Sequence, residues 1–287
     1  MPLRPDTRGP DDVERPALVP LAMAPAHGHA AETAPAPPRP PPPAPRAVER
    51  GVVLFDLDGT ILDDLALISD VAADVLEGTF GTPTAEGRIH YLATTGMPFE
   101  AQLAQLYPGA PAEVRATAAR TFHQRKVTEA YARALPFPEI PRVLKQLAGD
   151  RWTLAVTTGS ETEMAEIMLE RVGLRFWFDA VLGSSDGTKR EHIAEYRRRY
   201  LDAPMFLVGD SRFDMEAARS VPGVVPLARA TRLAGWNLTP KDLAGWGAAW
   251  AEYSLGELPG ALERLAAPRR RVTKKPTERS TARRRRA

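Results

Sequence analysis

Two aspartates two residues apart close an apolar run. Val52–Phe55 leads into Asp56-Leu57-Asp58-Gly59-Thr60. Carboxylates at the end of a hydrophobic strand are costly to bury without a counter-charge, and a hard cation with oxygen ligands is a natural partner. A second acidic pair follows the apolar run Met205–Val208, in Gly209-Asp210-Ser211-Arg212-Phe213-Asp214. Between the two, Trp152–Val156 runs into Thr157-Thr158-Gly159-Ser160, whose hydroxyls at a strand end beside a helix start can hold the oxygens of a phosphate. Thr157 and Thr158 exchange roles if the strand register moves by one, because successive side chains alternate faces. Lys189, in Gly187-Thr188-Lys189-Arg190, opens a helical pattern, where the helix dipole disfavours a cation unless an anion lies near. Each feature alone has an ordinary reading as a helix cap, a turn former or a solvated lysine. All of them at the ends of apolar runs are harder to dismiss.

These groups need a scaffold that brings strand ends together. Val52–Phe55, Trp152–Thr157, Phe178–Leu182, Met205–Val208 and Val224–Leu227 read as buried strands. Helical patterns separate them: Met164, Ile167, Met168 and Val172 in one, Ile193, Tyr196 and Tyr200 in another. Alternating strands and helices predict an α/β fold, a Rossmann-like doubly wound parallel sheet that collects ligands at the carboxyl ends of its strands. Almost 100 residues separate the first strand from the second, far more than a simple crossover needs. The excess is expected as an inserted α-helical subdomain over 66–140, with the α/β core in 50–65 and 141–266.

With the motifs placed in this order, the sequence resembles the haloacid dehalogenase-like superfamily of phosphohydrolases. The resemblance rests on DLDGT at 56–60, an apolar strand ending in Thr158, Lys189 in GTKREHI, and GDSRFD at 209–214. It covers about residues 51–266, and the position of the insertion resembles the C1-type cap of phosphoglycolate phosphatase-like members. The resemblance implies Mg²⁺-dependent hydrolysis of a small phosphorylated substrate. Asp56 is then the nucleophile of an aspartyl-phosphate, and Asp58 the general acid and base. Thr158 and Lys189 steady the transferring group, and Gly59, Thr60 and Gly159 are placed against the substrate. The metal set implied is the side chains of Asp56 and Asp210 with the backbone carbonyl of Asp58, and Asp214 ligating through water or orienting the shell. Gly159 stands where asparagine is common in the family, which loses a side-chain contact but keeps the amide. Asp58 itself argues for a phosphate ester, since the dehalogenating and phosphonate-cleaving relatives lack an acid there. A phosphomutase uses the same four motifs and differs in its cap.

Charge mapping separates this body from its ends. The chain has a net charge of +2 and no cysteine, which excludes a disulfide scaffold and any thiolate nucleophile or ligand. Residues 51–267 hold 22 basic and 29 acidic residues, whereas 268–287 hold ten basic residues and Glu278. Fourteen of the 28 prolines fall in the first 50 residues, so 1–49 is expected as a Pro-rich disordered leader and 267–287 as a basic disordered tail. A nucleic-acid-associated or scaffold protein acting through that tail is the competing class; binding there would be weak, nonspecific and salt-sensitive. Pro20 and Pro25 interrupt the apolar stretch around Ala22-Met23-Ala24, which reads against a secretory signal. No apolar run is long enough for a transmembrane helix, and the expected location is the cytoplasm.

Overall fold

A computed structural model of the protein describes residues 49–267; the leader before Glu49 and the basic tail after Ala267 lie outside the described residues. Its centre is a six-stranded, all-parallel sheet of β1 (Gly51–Phe55), β2 (Trp152–Thr157), β3 (Ala180–Leu182), β4 (Met205–Gly209), β5 (Val224–Arg229) and β8 (Trp250–Glu252). The strand order is β3-β2-β1-β4-β5-β8, so β1 lies centrally between β2 and β4. Every residue of β1 and β4 is buried. That is what a parallel sheet covered on both faces demands, and it is why these strands read as unbroken apolar runs. The chain leaves β1 first toward β2 and β3, then returns past it to β4, so the order reverses at the β1–β4 boundary, where an α/β sheet opens a crevice.

The expected strand at Phe178–Leu182 begins two residues late, because Arg175–Trp177 form a 3₁₀ turn closed by Phe178 N donating to the Arg175 carbonyl. Three short strands carry no periodic signal of their own. β6 (Thr231–Leu233) and β7 (Trp236–Leu238) form an antiparallel hairpin around Ala234-Gly235, with Gly235 at a φ of 77°. β8 pairs with the end of β5 at the sheet edge. Trp236 and Trp250 lie against the main apolar cluster, Trp246 and Tyr253 against a smaller one.

The connection from β1 to β2 carries α1 (Leu65–Phe80), α2 (Thr84–Ala93), α3 (Phe99–Leu106), α4 (Ala112–Arg125), a π-helical turn (Lys126–Tyr131) and α5 (Ile140–Gly149). Ala118 and Phe122 of α4 are buried as the helical spacing predicts, but Val114, placed on the same face, is exposed. One apolar cluster runs from Phe55 and Val156 in the sheet through Leu76 to Tyr91, Phe99 and Phe122 in the helices. α5 closes that cluster beside β2, with Leu144 fully buried. Leu144→Ala is therefore expected to cost about 2–5 kcal/mol of unfolding free energy, read from a urea denaturation midpoint at unchanged m-value. Among the described residues no helix is long and apolar enough to cross a membrane.

Candidate active site

The carboxyl ends of β1 and β2 open on one cavity of about 270 Å³, with Asp56, Asp58, Thr158, Gly159, Ser160 and Lys189 on its core side. Asp56 follows β1 directly and is 4% exposed. Its Oδ1 accepts from Lys189 Nζ at 2.6 Å, and the same ammonium donates to Asp214 Oδ1 at 2.6 Å. Thr188 and Glu191 form a capping box that sets Lys189 as the first residue of α7 (Lys189–Arg199). The anionic neighbour inferred for Lys189 is thus a pair of aspartates from two other strand ends. The two carboxylates hold the Lys189 pKa above its usual value, against the opposing pull of burial.

Asp210 and Asp214 are delivered by the turn from β4 into α8 (Arg212–Arg219). Ser211 caps α8, and Asp214 Oδ2 accepts from its N at 3.1 Å and its Oγ at 2.5 Å. Gly209 is required there: a Cβ would stand 2.3 Å from Asp214 Cγ. Asp56, Asp210 and Asp214 are all buried, and each offers an oxygen within 4.8 Å of the others. Asp210 Oδ2 has no hydrogen-bond partner. Three buried carboxylates, one with an orphaned oxygen, make a donor set that suits a hard divalent cation. Without one, burial, then Asp56 and Asp214, push the Asp210 carboxyl well above the usual range. Burial likewise pushes Asp56 up to about 7, partly countered by Lys189.

Asp58 is handled differently. Its carboxylate turns away from this triad toward the helical connection. Lys126 Nζ donates to its Oδ2 at 2.5 Å, Tyr131 OH to its Oδ1 at 2.8 Å and Ser160 Oγ to its Oδ2 at 3.0 Å. Burial works to raise its pKa, but Lys126 and the Tyr131 hydroxyl prevail and hold it below the ordinary value. Behind it, Asp64 accepts from Gly59 N at 3.0 Å. Burial and the adjacent Asp58 drive the Asp64 carboxyl upward.

Thr158, not Thr157, faces the cavity: Thr157 Oγ1 is paired with His192 Nδ1 at 3.0 Å, whereas Thr158 lines the cavity and its Oγ1 accepts from Ser160 N at 3.1 Å. Gly59 and Thr60 are not brought to the cavity wall. Gly59 has a φ of 74°, and a Cβ there would meet Asp210 Oδ2 at 2.6 Å, so it lets the β1 loop turn tightly under Asp210. Thr60 is fully buried. The far wall comes from the helical connection, with Met97, Phe122, His123, Lys126 and Tyr131 among its residues. His123, which no sequence motif singles out, lines it while bonded to Glu100 at 2.8 Å. The loop at Gly96 docks on the core; a Cβ there would stand 2.4 Å from Ser211 Oγ.

Lys126 and Tyr131 went unnoticed in the sequence. Lys126 sits in a polar helical stretch that reads as solvated, and its burial to 8% exposure makes sense only with Asp58, 68 residues away. The spacing of five residues splays two side chains on an α-helix, but a π-helical turn brings them together.

Comparison with known proteins points the same way. A family model described as haloacid dehalogenase-like hydrolase matches residues 53–223. A probable phosphatase, IndB, of Dickeya dadantii is 34% identical over 136 residues, 46% of this chain and 58% of that protein, so the match spans little more than half of that relative. A phosphoglycolate phosphatase of Rhodobacter capsulatus is 27% identical over 217 residues, covering 74% of this chain and 96% of the relative. Among solved structures, a haloacid dehalogenase-like family hydrolase from Streptococcus pneumoniae superposes with a TM-score of 0.60 at 23% identity, over 74% of this chain and 98% of the other. A hydrolase from Pseudomonas syringae superposes with a TM-score of 0.61 at 19% identity, over 76% and 100%.

Proposed function

The chain belongs to the haloacid dehalogenase-like hydrolase family, and from that premise we propose that it is an Mg²⁺-dependent phosphomonoesterase of small phosphorylated metabolites, acting through an aspartyl-phosphate on Asp56. The observation that carries the reading is the opposite treatment of two neighbouring carboxylates. Asp56 lies in the buried acidic triad against Lys189, whereas Asp58 faces the same cavity from a separate hydrogen-bonded seat.

Mg²⁺, held by the side chains of Asp56, Asp210 and Asp214, would offset the negative charge of the phosphoryl group and of the triad. Lys189 adds a fixed cation between Asp56 and Asp214, so the nucleophile presents less net charge to an incoming phosphate. An Asp56 oxygen attacks phosphorus and the ester oxygen departs with a proton that Asp58, ionised in its resting seat, first takes up as the ester binds. Asp58, now a carboxylate, then removes a proton from the water that attacks the acyl phosphate, which frees Asp56 and inorganic phosphate. Thr158 Oγ1 and the Gly159 amide, at the end of β2, orient the phosphoryl oxygens. Residues 66–140 act as a cap that excludes bulk water and sets the leaving group by the shape of the far wall. A cavity of about 270 Å³ suits a compact leaving group.

Magnesium-dependent release of inorganic phosphate from p-nitrophenyl phosphate and a panel of small phosphate esters tests this directly. The panel includes 2-phosphoglycolate, because several relatives are named for it. Turnover of at least one ester, lost on adding a chelator and regained with Mg²⁺, is the expected result. A folded protein inert toward the whole panel would end the proposal.

A further inference from the structure

The nucleophile and the proton-handling carboxylate are each paired with a lysine, but the two lysines come from different parts of the chain. Lys189 belongs to the α/β core, at the start of α7. Lys126 belongs to the helical connection, at the start of a π-helical turn that ends with Tyr131. Lys126 and Tyr131 are buried, at 8% and 2% exposure, as is Ala130, whereas Thr128 and Glu129 of the same turn are exposed. π-helical turns are rare, costly to form and frequent at functional sites. Here the turn has a specific geometric result: it points two side chains five residues apart at one carboxylate.

The seat is fully bonded. Lys126 Nζ reaches Asp58 Oδ2 at 2.5 Å and Ser160 Oγ at 2.8 Å, and lies 4.7 Å from the Tyr131 ring centroid. Tyr131 OH reaches Asp58 Oδ1 at 2.8 Å and Ser160 Oγ at 2.8 Å. Both oxygens of Asp58 are therefore fixed, and its rotation toward Asp56 and Asp210 would break bonds on both sides. A lysine buried merely to tie the helices to the core would need only one anionic partner. This one is shared with a tyrosine and a serine around a carboxylate that lines the cavity.

Resting on the phosphomonoesterase reading above, we propose that Lys126 and Tyr131 are positioning residues for Asp58: the π-helical turn of the cap holds that carboxylate at the leaving-group side of the cavity, so that proton transfer depends on the cap being seated. The core alone supplies the nucleophile and the cap completes the acid and base. The two residues act through Asp58 and not on the phosphoryl group.

The dependence of rate on leaving-group basicity separates this role from simple support of the fold. An ester oxygen that leaves as a stable anion hardly needs a proton, whereas a basic one does. The full-length chain with saturating Mg²⁺ is assayed on 2,4-dinitrophenyl, p-nitrophenyl and phenyl phosphate for wild type, Lys126→Met and Tyr131→Phe, with Asp58→Asn as the limit. In both variants kcat/KM is expected to fall more for phenyl than for 2,4-dinitrophenyl phosphate, by roughly tenfold, a small share of the 10²–10⁴ that a positioned proton donor contributes. Equal losses on all three esters, leaving the slope against leaving-group pKa unchanged, would overturn the proposal and leave the phosphomonoesterase reading standing. A wild type that is folded but inert on every ester would sink both. If Lys126→Met fails to fold by thermal melt, Tyr131→Phe, which removes only one oxygen, decides the matter alone.

Discussion

Asp56→Asn is expected to leave no measurable hydrolysis of any ester the wild type turns over, a loss on the order of 10⁴-fold or more, the scale of removing a nucleophile that works together with its partners. The amide keeps the shape of the carboxylate but cannot attack phosphorus, and it removes one oxygen from the metal set. The fold should survive, because Lys189 retains Asp214 at 2.6 Å. The melting temperature should even rise slightly in chelator at neutral pH, since burial pushes the Asp56 carboxyl up to about 7 and its ionised form strains the metal-free site. Phosphate release, a thermal melt and a test for acid-labile protein-bound phosphate on wild type check the prediction. Full activity in the variant would remove Asp56 from the chemistry.

Asp210→Asn should separate stability from function. Asp210 is buried against Asp56 and Asp214, with an oxygen that no hydrogen bond satisfies. Its folded pKa lies above the unfolded value, so the folded state binds the proton more tightly. The metal-free protein then loses stability as pH rises from the ordinary carboxylate range toward the folded pKa, and the loss is complete above it. At pH 7.5 the metal-free variant should therefore melt higher than wild type, by roughly 2–4 °C for each kcal/mol of relieved repulsion. Added Mg²⁺ should raise the wild-type melting temperature by mass action and leave the variant nearly unmoved, while activity disappears. A variant that melts lower in chelator, or that keeps the Mg²⁺ shift, would contradict the assignment of Asp210 to a cation site. A cation site of this kind would trade resting stability for chemistry.

Several features were readable before any coordinates. The apolar runs at β1, β2, β4 and β5 were recognisable because strands buried on both faces carry no alternation to obscure them. Their order around helical patterns implies a parallel sheet, and the strand-end rule then points to Asp56, the Thr157–Thr158 pair and Asp210. Lys189 was legible from a local conflict, a cation at a helix start, which the fold resolves by placing two aspartates against it. β6, β7 and β8 were missed because three residues are too few to show a period.

Tertiary structure alone decided the rest. The choice between Thr157 and Thr158 depended on register, settled when His192 from α7 took the hydroxyl of Thr157. Gly59 and Thr60 sit beside the two aspartates in sequence, yet the left-handed turn at Gly59 carries them off the cavity wall. The sharpest case is Asp58. Its chain neighbours say only that it is an aspartate near another aspartate. Lys126, Tyr131 and Ser160, at separations of 68, 73 and 102 residues, make it a carboxylate fixed on both oxygens. Residue type and the hydrophobic pattern are local, and they are enough to say which groups stand at strand ends. The partner that meets each group follows from long-range packing and from a π-helical turn that no periodicity announces, and that pairing separates the buried triad from the doubly bonded carboxylate beside it.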